Sequence, residues 1–168
     1  MEIRQAKYED IEKIMLIINQ AKKYFIDEEI FQWNLDYPNN NTIKNDIDKG
    51  VSLVVIDKGN IVGTFAFIIG EDVCYKNIYD GKWITNGIYA TIHRLAIDNN
   101  YKRKGIGDEI IQYSEDCCIK NNISSLRIDT HKLNIPMIKL IEKNKFSYCG
   151  IIKTDYSSDR VAYEKVLK

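Results

Sequence analysis

The segment "KRKGIG" (Lys102–Gly107) packs three basic residues and two glycines into six positions. It sits between the strand-like run "IYATIHRLAI" (Ile88–Ile97) and a helix-like stretch, Lys104–Asn121. A helix start offers unpaired N–H groups and a partial positive charge. Glycine lets an anion come close to that backbone. Lys102, Arg103 and Lys104 add charge beside it, so the spacing points to a phosphate-binding turn. The plainer reading is a tight strand–helix connection with solvated basic residues.

Two familiar phosphate motifs are spelled differently. A dinucleotide fingerprint needs a third glycine at position 110, which is Ile110. A P-loop needs Gly-Lys-Ser/Thr after four intervening residues, and the chain has none.

Only two histidines are present. His93 lies two residues before Leu95, on the same face of the predicted strand. An ordinary histidine pKa near 6.5 suits proton transfer, which makes His93 the first candidate for a general base. The competing role is a core histidine that shapes the pocket. His131 follows the predicted strand "SSLRIDT" and is read either as a surface loop residue or as a contact to cofactor or acceptor. The four cysteines form no Cys-x-x-Cys pair, so no metal site is expected.

The elements that must carry these residues follow from periodicity. Ile11, Ile14, Met15, Ile18, Ala21 and Phe25 recur at helical spacing from Glu9 to Phe25. Residues 27–50 read as a short helix, a break at Tyr37-Pro38, and a second short helix. "VSLVVI" and "IVGTFAFII" flank "DKGN" as a hairpin. A polar and aromatic connection, Glu71–Gly87, leads to the Ile88–Ile97 strand. Ile106, Ile110, Ile111, Ser114, Cys117 and Cys118 form one stripe on the next helix. Ser124–Thr130 is a strand. "IPMIKLIEKN" is a helix, with Asn134 as its cap and Pro136 in its first turn. "FSYCGII" and "RVAYEKVL" close as strands around a turn at Asp155–Asp159. The class is α/β or α+β with a mixed sheet.

Composition sets the outer limits. A chain of 168 residues is enough for one domain, here taken as residues 1–168. Lys and Arg number 24, as do Asp and Glu, which argues against a general nucleic-acid or membrane-surface binder. The start "MEIRQAKYEDIEKIM" lacks a signal-peptide core, and no run approaches the roughly 20 apolar residues of a membrane helix. A cytoplasmic location is expected.

With "HRLAID" before it, "KRKGIG" resembles the Q/R-x-x-G-x-G/A signature of the GNAT N-acetyltransferases, which use acetyl-coenzyme A. "IRQAKYEDIEKI" is similar to the family's first strand and helix. "NIPMIKLIEKNKFSYCGI" (Asn134–Ile151) is similar to its last conserved segment, N-x-x-A-x-x-L-Y-x-x-x-G-F. The resemblance runs over nearly the whole chain in the family's order. It implies a mostly antiparallel sheet of six to seven strands flanked by about four helices.

The resemblance also implies roles. Lys102, Arg103, Lys104, Gly105, Ile106, Gly107 and Asp108 would surround the pyrophosphate of coenzyme A. Leu95, Ala96 and Ile97 would pair with the pantetheine arm like an added strand. Asn134, Met137 and Lys139 would complete the cofactor site. Trp33, Tyr37, Trp83 and His131 are candidates for the acceptor side. The acceptor would be a small-molecule or peptide amine, and homodimers are common in such families.

Three positions depart from the pattern. Lys102 keeps the charge of the first motif position but loses a planar fork. Ile141 stands where the family carries a tyrosine that protonates the leaving thiolate, and Lys145 replaces a glycine. Tyr148, in the following strand, is a candidate replacement acid. Direct transfer from acetyl-CoA to a primary amine in a ternary complex is the first reading. The alternative is an acyl-CoA-binding sensor with weak catalysis, and a nucleotide binder unrelated to coenzyme A is the third.

Overall fold

The computed structural model describes residues 1–154 and 158–168. Eight strands form one sheet: β1 (Glu2–Gln5), β2 (Ser52–Asp57), β3 (Asn60–Ile69), β4 (Ile78–Tyr79), β5 (Ala90–Ile97), β6 (Ser125–Thr130), β7 (Ser147–Ile152) and β8 (Arg160–Val166). Their spatial order is β1-β2-β3-β5-β6-β8-β7-β4. Every pairing is antiparallel except β5 with β6. A parallel pair needs a crossover; here the chain crosses through α3 (Ile106–Lys120).

Helices α1 (Ile11–Asp27) and α2 (Asn40–Asp48) cover one face, where Ile14, Ile17, Ile18 and Ile43 pack on Val54 and Ala96. The other face carries α3 and α4 (Ile135–Lys143), with Ile106, Ile110, Ile111 and Ile141 against Leu126 and Ile128. Burying each such side chain contributes about 1.5–3 kcal/mol. That apolar stripe at helical spacing is why α1 and α3 form where the periodicity places them.

Three expectations change. The sheet gains an eighth strand, because the two-residue β4 pairs with β7 and is too short to leave a pattern. Residues 27–38 hold no separate helix: Asp27 ends α1, and turns follow to α2. Of the α3 stripe, Cys118 is buried and Cys117 only partly so. The turn expected at Asp155–Asp159 falls largely outside the described residues.

Candidate active site

The feature that organises the site is a fork between two strands. β5 pairs with β6 only at Ala90, Thr91 and Ile92, and the last rung is Ile92 with Ile128. The next residues on the two strands are His93 and Asp129. From there β5 keeps β3 on one side and, among the described residues, has no strand on the other up to Ile97. A register shift opposite Thr64–Ala66 gives β5 an extra residue, and Arg94 takes a φ of +52° there. Such a bulge bends a strand and re-aims its side chains.

The cleft at the fork is lined by Trp33, Tyr37, His93, Arg94, Asp129 and Asn134, with Met137 from α4. His93, Arg94, Asp129 and Tyr37 also border a second cavity, which Asp46, Asp72 and Tyr75 help to line. His93 thus stands on a wall shared by two chambers.

Two carboxylates flank the His93 ring, one hydrogen-bonded and one at a longer distance. Nε2 of His93 lies 2.7 Å from Asp72 Oδ2, and Nδ1 lies 3.9 Å from Asp129 Oδ1. Asp72 also accepts the Cys74 N–H at 2.8 Å. Burial alone would raise the Asp72 pKa, yet the His93 and Cys74 hydrogen bonds and the Arg94 charge hold it below the usual carboxylate value. Tyr75 donates its hydroxyl to Asp129 at 2.6 Å, and its burial pushes its own pKa well above 10.0. Asp129 also takes a contact of 3.4 Å from Arg160.

Helix α3, which follows β5 in the chain, starts from Gly105 at a φ of +81°, with nothing within 4 Å of where a Cβ would sit. The N–H groups of its first turn have no partner within the helix. Gly107 has a different reason: a Cβ there would meet Leu140 Cδ2 at 2.7 Å, so this glycine lets α3 and α4 touch. The flanking cations lie over aromatic rings, Lys102 on Tyr24 and Lys104 on Tyr101.

Asn134 is buried at the start of α4. Its Nδ2 donates to Gln32 Oε1 at 2.9 Å and Thr130 Oγ1 at 3.1 Å, so it locks a loop and a strand end rather than capping its own helix. His131 is buried too, which corrects the surface-loop reading. Its N–H donates to Gln32, its Nδ1 accepts from the Leu133 N–H, and burial lowers its pKa.

Two candidates stand away from the cleft lining. Trp83 lies over the Arg127 guanidinium at 4.2 Å and donates its indole N–H to Tyr75 O, so it is a packing residue. Tyr148 is 54% exposed and meets Tyr163 edge-on at 5.7 Å; it borders neither chamber that His93 borders. Ile141, which the sequence resemblance sets at a tyrosine position, is buried in the core.

Sequence reading missed Asp72, Asp129, Asp46 and Arg94. Asp129 carried a faint signal, a carboxylate inside an otherwise apolar strand. Asp72 carried none, since it reaches His93 from the connection before β5.

A family model described as "Acetyltransferase (GNAT) family" matches residues 15–146. Among solved structures, a GNAT-family acetyltransferase from Streptococcus agalactiae is similar over 99% of this chain and 95% of its own. It shares 33% identity at a TM-score of 0.90. A putative acetyltransferase from Staphylococcus aureus Mu50 covers 100% of both chains at 25% identity and a TM-score of 0.75. The ribosomal-protein-S18-alanine N-acetyltransferase from Escherichia coli shares the fold, at 16% identity and a TM-score of 0.67, over 99% of this chain and 94% of its own. No curated protein sequence gives a match.

Proposed function

The chain belongs to the GNAT acetyltransferase family, and we propose that it is an N-acetyltransferase moving an acetyl group from acetyl-CoA to a primary amine of a small molecule or peptide. The observation that carries this reading is the fork. A strand with one unpaired edge lies beside a glycine-started helix, and His93 stands between two chambers.

The residues present fit the co-substrate. Backbone N–H groups from Arg103 to Asp108 would hold its pyrophosphate, helped by the open approach at Gly105. Main-chain groups of Leu95, Ala96 and Ile97 would pair with the pantetheine arm. Asn134, Met137 and Lys139 would bound it on the α4 side. Trp33 and Tyr37 would face the acceptor.

Acetyl-CoA supplies the acyl group as a thioester: the amine lone pair forms the C–N bond as the C–S bond breaks, and the thiol leaves carrying a proton. An ammonium with a pKa of about 10 must first lose a proton. His93, held by Asp72, is the base for that step. Two chambers meeting at one histidine suit direct transfer in a ternary complex.

One observation favours a second reading. Ile141 is buried where the family tyrosine would stand, so the ordinary acid is missing. That fits an acyl-CoA-binding module with weak catalysis. A thiol pKa of about 8.5 leaves a fair leaving group without an acid, so the enzyme reading stands first.

Calorimetry of acetyl-CoA with wild type and Gly105→Glu tests the proposal. Binding lost in the variant supports the pyrophosphate site. No binding by wild type overturns both readings. Binding without thiol release on any amine leaves the module.

A further inference from the structure

We infer that Asp129 and His93 together seat the acceptor's ammonium group, with the Asp129 carboxylate holding it and His93 Nδ1 taking its proton. This rests on the N-acetyltransferase reading and adds the acceptor's seat to it.

The geometry at the fork carries the inference. Ionised Asp72 can only accept, so the hydrogen between it and His93 sits on Nε2. A neutral imidazole then leaves Nδ1 as a bare acceptor. Nδ1 faces Asp129 Oδ1 at 3.9 Å, too far for a hydrogen bond between them. A nitrogen placed beside that gap can stand about 2.8 Å from both atoms. One N–H then points at the carboxylate and another at the imidazole. When the proton crosses, an N–H bond breaks on the ammonium and one forms at Nδ1. The positive charge moves onto an imidazolium that keeps Asp72 on its far side.

Each carboxylate around His93 has partners, and Asp129 is the one whose oxygen lies opposite Nδ1 across the gap. Asp46 is held in two hydrogen bonds by Arg94. Asp72 is bonded to His93 and to the Cys74 N–H. Asp129 is steadied by the Tyr75 hydroxyl on Oδ1 and by Arg160 on Oδ2, and it faces the gap. Tyr75 remains a donor because its burial keeps it protonated. The charged and titratable groups around His93 are Asp72, Tyr75, Asp129 and Arg94, with Asp46, Arg160, Tyr37, Cys74 and Lys49 further along the two cavities. An amine with its own adjacent carboxylate would set that charge against Asp129 and Asp72. The acceptor class is thus a primary amine without a free α-carboxylate.

The test combines structure-sensitive and kinetic readouts on the full chain. In ¹⁵N-histidine spectra above pH 7.5, His93 should be the Nε2–H tautomer; an Nδ1–H tautomer overturns the inference. Kinetics would use n-hexylamine, a tripeptide amide with a free N-terminus, and glycine. Asp129→Asn should raise KM for the accepted amines at least tenfold while acetyl-CoA affinity stays unchanged. Asp129→Glu, which keeps the charge for Arg160, should recover part of the loss. Unchanged KM in a folded Asp129→Asn protein, or glycine used as well as n-hexylamine, overturns the inference. So does a protein that binds acetyl-CoA yet acetylates no amine of the panel, and there the cofactor site still stands. Failure of wild type to bind acetyl-CoA instead overturns the underlying reading.

Discussion

Arg94 and Asp46 are joined by two hydrogen bonds, of 2.7 and 2.9 Å, across 48 residues of sequence. The same guanidinium donates to the Tyr37 hydroxyl at 3.1 Å. Arg94 directly follows His93, so this clamp ties α2 and the Tyr37 loop to the strand that carries His93. The +52° φ of Arg94 belongs to the bulge beside it. Local strain there is tolerated because the clamp and the sheet together over-determine the position.

Removing one partner of a buried pair leaves the other charge without compensation. Arg94→Met should therefore cost about 3–5 kcal/mol in denaturant unfolding. Arg94→Lys keeps the charge but loses the two-pronged geometry, and should cost less. Equal stability of both variants and wild type would show that the clamp is idle.

His93→Gln keeps a hydrogen-bonding side chain but removes the imidazole proposed as the base. Turnover should fall by about 100-fold or more, the usual range for a general base, with acetyl-CoA affinity unchanged. Unchanged turnover across pH 6–9 would assign His93 to pocket shape alone.

Gly107→Ala should destabilise by about 1–3 kcal/mol, the usual cost of overpacking, because its Cβ would meet Leu140. Leu140→Val in the same chain should recover some of that. If Gly107→Ala unfolds at the wild-type denaturant midpoint, α3 and α4 have slack that the geometry does not show.

Acid should unfold the protein through carboxylates whose pKa is depressed. Burial would raise the Glu164 pKa. Hydrogen bonds from Ser125, Thr85 and the Ile84 N–H, with the Arg127 charge, hold it below its usual value. Asp72 and Asp98 are also held low against burial. Below their unfolded values of about 4, the unfolded chain binds more protons than the folded one. Stability from these groups is present above that pH and is lost as pH falls through the lower folded values. The urea midpoint should drop between pH 5 and pH 3, and Glu164→Gln should shrink that drop.

Tyr148→Phe should leave single-turnover acetylation unchanged, since Tyr148 borders neither chamber that His93 borders. A tenfold slower variant would return this tyrosine to the chemistry.

Local physics makes much of this protein legible from its sequence. The apolar spacing of Ile14, Ile18 and Phe25 specifies α1, because only a helix puts those residues on one face. The β-branched runs around "DKGN" specify the β2–β3 hairpin. The glycine turn at Gly105 marks the helix start, and the ordered motifs point to the family. Each of these signals is local to its own stretch of chain, and the family signal is the order of several such stretches. What the tertiary structure decided depends on contacts between distant segments. Gly105 and Gly107 look alike in sequence, yet one needs a left-handed backbone and the other needs room for Leu140. Trp83 and Tyr148 are both aromatic, yet Trp83 packs on Arg127 and Tyr75 while Tyr148 stands exposed on β7. Asp72, His93 and Asp129 come together because β5 and β6 diverge just beyond Ile92 and Ile128 and a loop folds back over the fork. No periodicity records where two strands separate, since that is set by packing on both sheet faces and not by either strand alone.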